Sequence, residues 1–335
     1  MNVWKLNEPR ELTREDCPVP EAEEGKIRVR VTKTMLAKVD AEIYKGVVKA
    51  KMPLIPGRFA IGQISTQTDN PLFPKNMRVL LHAYREKPNR GTEEVDFSEE
   101  EVSIRGMTEN GFLRDFINVG ADEMTPLPDS VGDIDALLVH YIAIAKTVID
   151  RLQMKKGDRV AVVGANFIGI LISQLLIYQQ ISPILIDSHP DRLYLAKKCG
   201  VYYALPVSEN VIGEVASVTG GRLADKAIFI KTADEEPDLA FELVRNGGAV
   251  AVCAPDRTGF TIDFGIAMKK QLTVISVSDP EGTLETAFNL IISKAVNLDP
   301  LKTTMTALDN PEDFFRNESG DDSLDAFRTY IYNLF

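Results

Sequence analysis

The residues with the clearest chemical potential form one short run, Gly164-Ala165-Asn166-Phe167-Ile168-Gly169. It lies between the apolar run Arg159–Val163 and a helical stretch that continues to Gln180. A glycine at 164 permits a tight strand-to-helix turn, and a glycine at 169 lets the helix pack closely on the strand. The start of such a helix presents N–H groups and the positive end of its dipole, which suits a pyrophosphate. The middle glycine of the usual G-x-G-x-x-G pattern is Asn166 here. Asparagine tolerates unusual backbone angles, but its side chain intrudes where a phosphate approaches. Gly164, Asn166, Phe167, Ile168 and Gly169 are therefore expected to cradle a dinucleotide. The next apolar run, Pro183–Ile186, ends in Asp187, close to the spacing at which a carboxylate meets the adenosine ribose. A carboxylate there accepts from two ribose hydroxyls and repels a 2′-phosphate, which favours NAD(H). Arg192, five residues on, could pair with a 2′-phosphate and leaves NADP(H) open. The competing expectation is a nucleotide-free sheet whose glycines serve packing alone.

Metal chemistry has little to work with. The 335 residues include three cysteines (Cys17, Cys199, Cys253) and three histidines (His82, His140, His189), scattered along the chain. That excludes a cysteine-rich zinc lobe, an iron–sulfur cluster and a disulfide scaffold, and it suits a reducing compartment. The 38 Lys and Arg against 49 Asp and Glu give a net charge of −11, which argues against nucleic acid as a partner. Met1–Arg10 has no apolar core of a signal peptide. The most apolar long run, Ala136–Ile149, is interrupted by His140 and Lys146 and is too short to span a bilayer. A soluble, cytoplasmic protein acting on a small molecule is expected, without nucleic acid or membrane.

The elements that must position these residues change character along the chain. The first 125 residues read as short strands broken by turns: Lys26–Thr32 alternates apolar and basic residues, and Met77–His82 and Phe112–Val119 are similar. Several such strands suggest a small barrel or sandwich. The polar stretch Glu86–Gly111 reads as a solvated loop or lobe, and Glu99–Glu101 within it as a solvated face. Asp133–Leu152 has helical apolar spacing, with Asp133 or Asp135 as cap. From Arg159 strands and helices alternate: after Pro183–Ile186 come the helix PDRLYLAKKCG, the strand ADKAIFI, the helix EPDLAFELVRNG and the strands GAVAVCA and LTVISVS. This is the pattern of a doubly wound parallel sheet. One more helix, Gly282–Lys294, precedes a mixed tail.

Taken together, Val39–Gly46 (VDAEIYKG), Pro53–Ile64 (PLIPGRFAIGQI), GFLRDFINVGADEMTPLPDSV, MKKGDRVAVVGANFIG and Asn297–Leu301 (NLDPL) resemble the medium-chain dehydrogenase/reductase superfamily of zinc alcohol dehydrogenases. The resemblance spans nearly the whole chain. It implies an α/β protein in which a GroES-like β-rich catalytic domain, residues 1–140 and 278–335, is interrupted by a Rossmann dinucleotide-binding domain, residues 141–277. Its departures bear on chemistry. Carried over by position, the family's zinc-ligand cysteine falls on Ala37, its histidine on Arg58, the neighbouring glutamate on Phe59 and the remaining ligand near Val139. The hydroxyl that normally relays the proton corresponds to Val39, and Glu86–Gly111 holds none of the four cysteines of a structural zinc lobe. None of these side chains ligates a metal at neutral pH, and His140 alone cannot build a three-ligand site. Neither catalytic nor structural zinc is expected.

Hydride transfer to a carbonyl leaves negative charge on oxygen, which zinc would otherwise stabilise. Arg58 is permanently charged and has a fork suited to an oxyanion, so it is the candidate replacement; Lys38 or His140 would supply the proton. Asp40 matches an acidic family position and is expected to orient its neighbours. Arg58 has a purely structural alternative, pairing with Asp40 or Glu42 to fill the vacated metal site. Likewise Tyr44 reads as packing, His140 as a satisfied core histidine, Cys253 as a small buried hydrophobe, and His189 as an adenine neighbour or a loop residue. Two functions follow as expectations. One is a zinc-independent NAD(H)-dependent oxidoreductase acting on a carbonyl, an alcohol or an activated double bond. The other is a redox-silent dinucleotide-binding sensor or complex partner. The resemblance also implies a homodimer or homotetramer joined at the nucleotide-domain sheet edge, for which Leu272–Val277 is suited.

Overall fold

The computed structural model describes residues 1–86, 102–231, 236–255, 259–280, 284–317 and 329–334. The acidic run Glu99–Glu101 and most of the polar stretch around it lie outside the described residues, as does Gly282. The chain forms two compact units. One is built from Met1–Leu137 and the described residues after Met305, the other from Leu138–Thr304.

The first unit is β-rich. Among the described residues its main sheet runs in the order Met305–Leu308, Thr329–Asn333, Ile27–Leu36, Phe59–Ile64, Arg78–Leu81 and Met124–Pro126, with Phe116–Val119 also paired to Ile27–Leu36. Side chains alternate across a strand, so Ile27, Val29 and Val31 turn to one face and join Ile64, Val79, Leu81 and Val119 in an apolar core. Arg28 and Arg30 stay half-buried on the other face. The central strand extends past the expected Thr32 to Leu36. Its later residues gain remote partners, Leu36 opposite Tyr330 and Met35 opposite Phe59. Conversely, Phe112–Val119 contracts to Phe116–Val119. The amides of Phe112, Leu113 and Asp115 bond instead to the carbonyls of Gly57, Pro56 and Asn2, outside the ladder. An eight-residue helix, Lys38–Lys45, follows the central strand and ends at Gly46, whose φ of +79° requires glycine's freedom.

The expected single helix Asp133–Leu152 is two helices, Asp133–Leu137 and Val139–Arg151, and the boundary between the units falls at their junction. Asp133 does not act as a cap; it is the first helical residue, and its carboxylate accepts from Arg78 Nη1 at 2.8 Å and faces Lys33 Nζ at 3.5 Å.

In the second unit the described strands are all parallel, in the order Tyr203–Pro206, Ser182–Asp187, Arg159–Val163, Ala224–Ile230, Val244–Cys253 and Thr273–Val277. Numbered within the unit this is 3-2-1-4-5-6, the doubly wound dinucleotide-binding order. Their near-continuous apolar runs (Val160, Ala161, Val162 and Val163 are each 0 % exposed) are what a sheet covered on both faces demands. The helix expected over EPDLAFELVRNG is only Pro237–Glu242, because the following strand begins at Val244. There Val244 pairs with Ala224, and Gly247, at φ +69°, accommodates an irregular register. Cys253 is fully buried in this strand.

Candidate functional site

The turn Gly164–Gly169 sits where the strand order reverses, the position at which open parallel sheets bind ligands. Gly164 adopts φ +103° while its amide still bonds to Ile186 at 2.9 Å, so the ladder runs directly into the turn. Gly169 is required by close approach: a Cβ there would lie 1.9 Å from the Gly164 carbonyl oxygen. Asn166 caps the helix Phe167–Tyr178, its side-chain oxygen accepting from the Gly169 amide at 3.1 Å. The Ile168 amide makes no hydrogen bond among the described residues and, with the helix dipole, can face an anion. Phe167 is 4 % exposed, and its ring stacks on Tyr141 with centroids 5.8 Å apart and planes within 7°. That stack was not visible in the sequence, since Tyr141 lies on the preceding helix.

Asp187 stands at its expected strand end but is 0 % exposed. Its carboxylate accepts from the Ala165 amide at 2.6 Å and the His189 amide at 2.8 Å, and it pairs with Arg192 Nη1 at 3.4 Å. Arg192, 1 % exposed, is directed inward to this carboxylate. The Asp187 carboxylate is thus tied to the glycine turn and to a buried cation. Together the turn, the helix start and Asp187 have the chemistry to hold a dinucleotide.

Arg58, Lys38 and Asp40 belong to the first unit, and His140 to the second. Asp40 is 3 % exposed and joins two segments: one carboxylate oxygen accepts from the Ala37 amide at 2.9 Å, the other from the Gly57 amide at 3.2 Å. Burial pushes its carboxyl above the usual range, and the two amides and the Arg58 charge pull back against that shift. Asp40 therefore fixes both the start of the helix Lys38–Lys45 and the residue preceding Arg58. Gly57 has φ +88°, and a Cβ there would meet Thr34 Cγ2 at 2.7 Å.

Arg58 itself is 4 % exposed. Its Nη2 reaches Met107 Sδ at 3.6 Å and its Nε has no partner. Among the described residues no carboxylate lies within 4.0 Å of the guanidinium, so it forms no ion pair with Asp40 or Glu42. Lys38, the first residue of its helix, is half-buried. Tyr44 donates its hydroxyl to the Arg10 carbonyl at 3.2 Å and packs its ring 5.1 Å from Phe315, a structural use of both ends. His140, 1 % exposed, lies on the inner side of Val139–Arg151. Met107 is a contact of Arg58 that no sequence signal marked, because it sits in a turn 49 residues away.

A β-rich unit with an interrupted chain and a parallel doubly wound unit bearing a glycine turn define the dehydrogenase architecture. Residues 23–129 match the alcohol dehydrogenase GroES-like domain. An uncharacterized zinc-type alcohol dehydrogenase-like protein of Haemophilus influenzae is 22% identical over 229 residues, 65% of this chain and 67% of that one. An L-threonine 3-dehydrogenase of Mesorhizobium japonicum is 23% identical over 293 residues, 83% of each chain. A crystal structure of the Escherichia coli alcohol dehydrogenase RspB, complexed with NADH, shares the fold with a TM-score of 0.82 at 19% identity, over 99% of both chains. Residues 23–129 thus carry an alcohol dehydrogenase GroES-like domain, and over its length the chain is similar to zinc-type alcohol dehydrogenase-like proteins and shares their fold.

The residues that the resemblance matches to the family's metal positions do not fit a zinc ion. Ala37, Phe59 and Val139 have no donor atom, and Arg58 presents a cation. Among the described residues no group of three or more His, Cys, Asp or Glu could hold a metal ion. No helix among them is long and apolar enough to cross a membrane.

Proposed function

We propose that the protein is an NAD(H)-dependent oxidoreductase of the alcohol or polyol dehydrogenase type, acting on a carbonyl/alcohol pair or an activated double bond without zinc. The observation that carries this reading is Arg58: a residue 4% exposed, matched by the resemblance to a zinc-ligand position, with, among the described residues, an unpartnered Nε and no carboxylate within 4.0 Å. Burying an uncompensated charge is costly, and a purely structural Arg58 would be expected to have acquired an acid. An oxyanion developing on the substrate would supply the missing partner and receive a charge-assisted hydrogen bond from Nε or Nη.

When bound, the nicotinamide ring supplies or accepts the hydride. The chain's own groups do the rest. Asp40 holds Gly57, the residue before Arg58 and the strand Phe59–Ile64, so the guanidinium is oriented before substrate arrives. Lys38, in the same unit as Arg58, delivers the proton to the product alkoxide. The helix start at Phe167–Gly169 binds the pyrophosphate, and Asp187 favours a free 2′-hydroxyl and thus NAD(H) over NADP(H). The experiment is hydride transfer from NADH to a panel of carbonyl substrates by chelator-treated enzyme. Turnover without metal supports the reading, and turnover that appears only when zinc is restored rejects it.

One observation favours a second reading, a redox-silent dinucleotide sensor or complex partner. Ala37, Val39 and Phe59, which the resemblance matches to metal ligands and the proton relay, carry no side-chain donor, as loss of catalysis would also leave them. Dinucleotide binding without turnover on any substrate would support that alternative. We also infer a cytoplasmic homodimer or homotetramer. Thr273–Val277 ends the described sheet and carries partly exposed residues, so its unpaired edge can add to a second copy. Sedimentation at micromolar concentration should report a dimer or tetramer, and Val274→Pro should dissociate it; a monomeric parent protein would contradict this.

A further inference from the structure

The first unit contains a second cationic feature, separate from Arg58. A cavity of about 490 Å³ is walled by Arg85, Arg105, Arg114, Glu109, Glu123 and Lys51, among others, and includes none of Arg58, Lys38 or Asp40. Its volume falls within the range of small-molecule sites. Four of these side chains neutralise one another. Arg85 pairs with Glu109 and, at 3.3 Å, with Glu123; Arg105 pairs with Glu123 and, at 3.4 Å, with Glu109. The other lysine on the wall, Lys26, pairs with Glu23 at 2.5 Å.

Arg114 and Lys51 are left over. Arg114 donates from Nε to the Gly111 carbonyl at 3.1 Å and from Nη2 to the Asn110 carbonyl at 3.4 Å, which aims the guanidinium without neutralising it. Its Nη1 makes no hydrogen bond among the described residues, and neither Arg114 nor Lys51 has a carboxylate within 4.0 Å. Burial, with the like charge of Arg105, brings the Arg114 guanidinium down to about 10. A half-buried cation beside another cation, with its planar fork held by two carbonyls, has an electrostatic deficit that an anion in the cavity would cancel. In a chain of net charge −11, two surplus cations on one concave wall are an exception that needs a partner.

We propose that this cavity binds a small dianion, a phosphomonoester or a dicarboxylate, with Arg114 and Lys51 as its charge-bearing contacts. The paired Arg85, Arg105, Glu109 and Glu123 form the neighbouring wall, while the Gly111 and Asn110 carbonyls hold Arg114 in place. Such a ligand is distinct from the hydride-transfer substrate and would bind whether or not that chemistry is retained.

The test is calorimetric titration of the full-length protein with inorganic phosphate, succinate and glycerol at low ionic strength. Phosphate or succinate is expected to bind in the millimolar range or tighter, weakening with added salt, while neutral glycerol does not bind. Arg114→Gln should weaken the dianion roughly tenfold, as expected for loss of one charge-assisted contact. Lys51→Gln, at an exposed position, should weaken it by about threefold without disturbing the fold. Should Arg114→Gln fail to fold, Lys51→Gln and Arg114→Lys decide. Absence of binding by both dianions, or equal affinity in parent and variants, overturns the proposal.

Discussion

A guanidinium withdrawn from water needs compensation, and Arg58 and Arg192 obtain it differently. Arg192 is opposed by the Asp187 carboxylate at 3.4 Å, in a pair that also binds the glycine turn through Ala165. Among the described residues Arg58 has the polarizable sulfur of Met107 and the more distant charge of Asp40. An incompletely satisfied buried cation is where a reacting oxyanion gains most, because a low local dielectric strengthens the interaction. Gly169 shows the other kind of constraint, steric rather than electrostatic. Gly169→Ala should lower stability by roughly 2–3 kcal/mol, because the obstructing Gly164 oxygen belongs to the backbone and cannot rotate away. Urea unfolding of parent and variant checks this, and an unchanged midpoint would show that the turn is looser than described. At this scale the sequence indicated where residues lie better than what they touch. The strand-end place of Asp187 and the turn glycine Gly169 were legible from spacing. The burial of Asp187, its bond to Ala165 and the Met107 contact depend on side chains brought together by folding, which local pattern does not encode.

Elements were legible where their determinants are local. The alternation of Ile27, Val29 and Val31, and the strand–turn–helix sequence around Gly164, arise from neighbouring residues and were readable directly. The errors fell where pairing is remote: Lys33–Leu36 joins the strand because Thr329–Asn333 and Phe59–Ala60 are there to bond it, and Val244 leaves its helix to pair with Ala224. Asp225 illustrates how such junctions are secured. It accepts from the Arg159 amide at 2.9 Å and from Arg245 Nε at 2.9 Å, linking the starts of three sheet strands. Burial raises its carboxyl, but the Arg159 amide and Arg245 outweigh that and hold it below the usual range. With the folded value depressed, its stabilising contribution is full above the ordinary carboxylate range and is lost as pH falls through the lower folded value. Arg245→Ala should therefore reduce stability at neutral pH by about 1 kcal/mol or less, since Arg245 is half-exposed. That difference should shrink towards zero in acid. Urea midpoints of the two proteins across the acid range check this; a difference independent of pH would assign the effect to packing.

At the scale of the whole molecule, the fold and the metal positions point in different directions. The architecture is that of zinc-type alcohol dehydrogenase-like proteins, while the resemblance matches Ala37, Arg58, Phe59 and a residue near Val139 to the family's metal positions. Three cysteines and three histidines limit any metal site built from them to a sparse one. In the proposed reading the buried guanidinium of Arg58 takes the metal's role. The most direct measurement is NADH oxidation by chelator-treated protein with a carbonyl panel, with parent and Arg58→Gln compared at equal dinucleotide affinity. The expected result is metal-independent turnover in the parent protein and a roughly hundred- to thousandfold lower kcat in the variant, with NADH binding unchanged. Equal kcat in both proteins, or turnover only after zinc is restored, would contradict the replacement of the metal by Arg58.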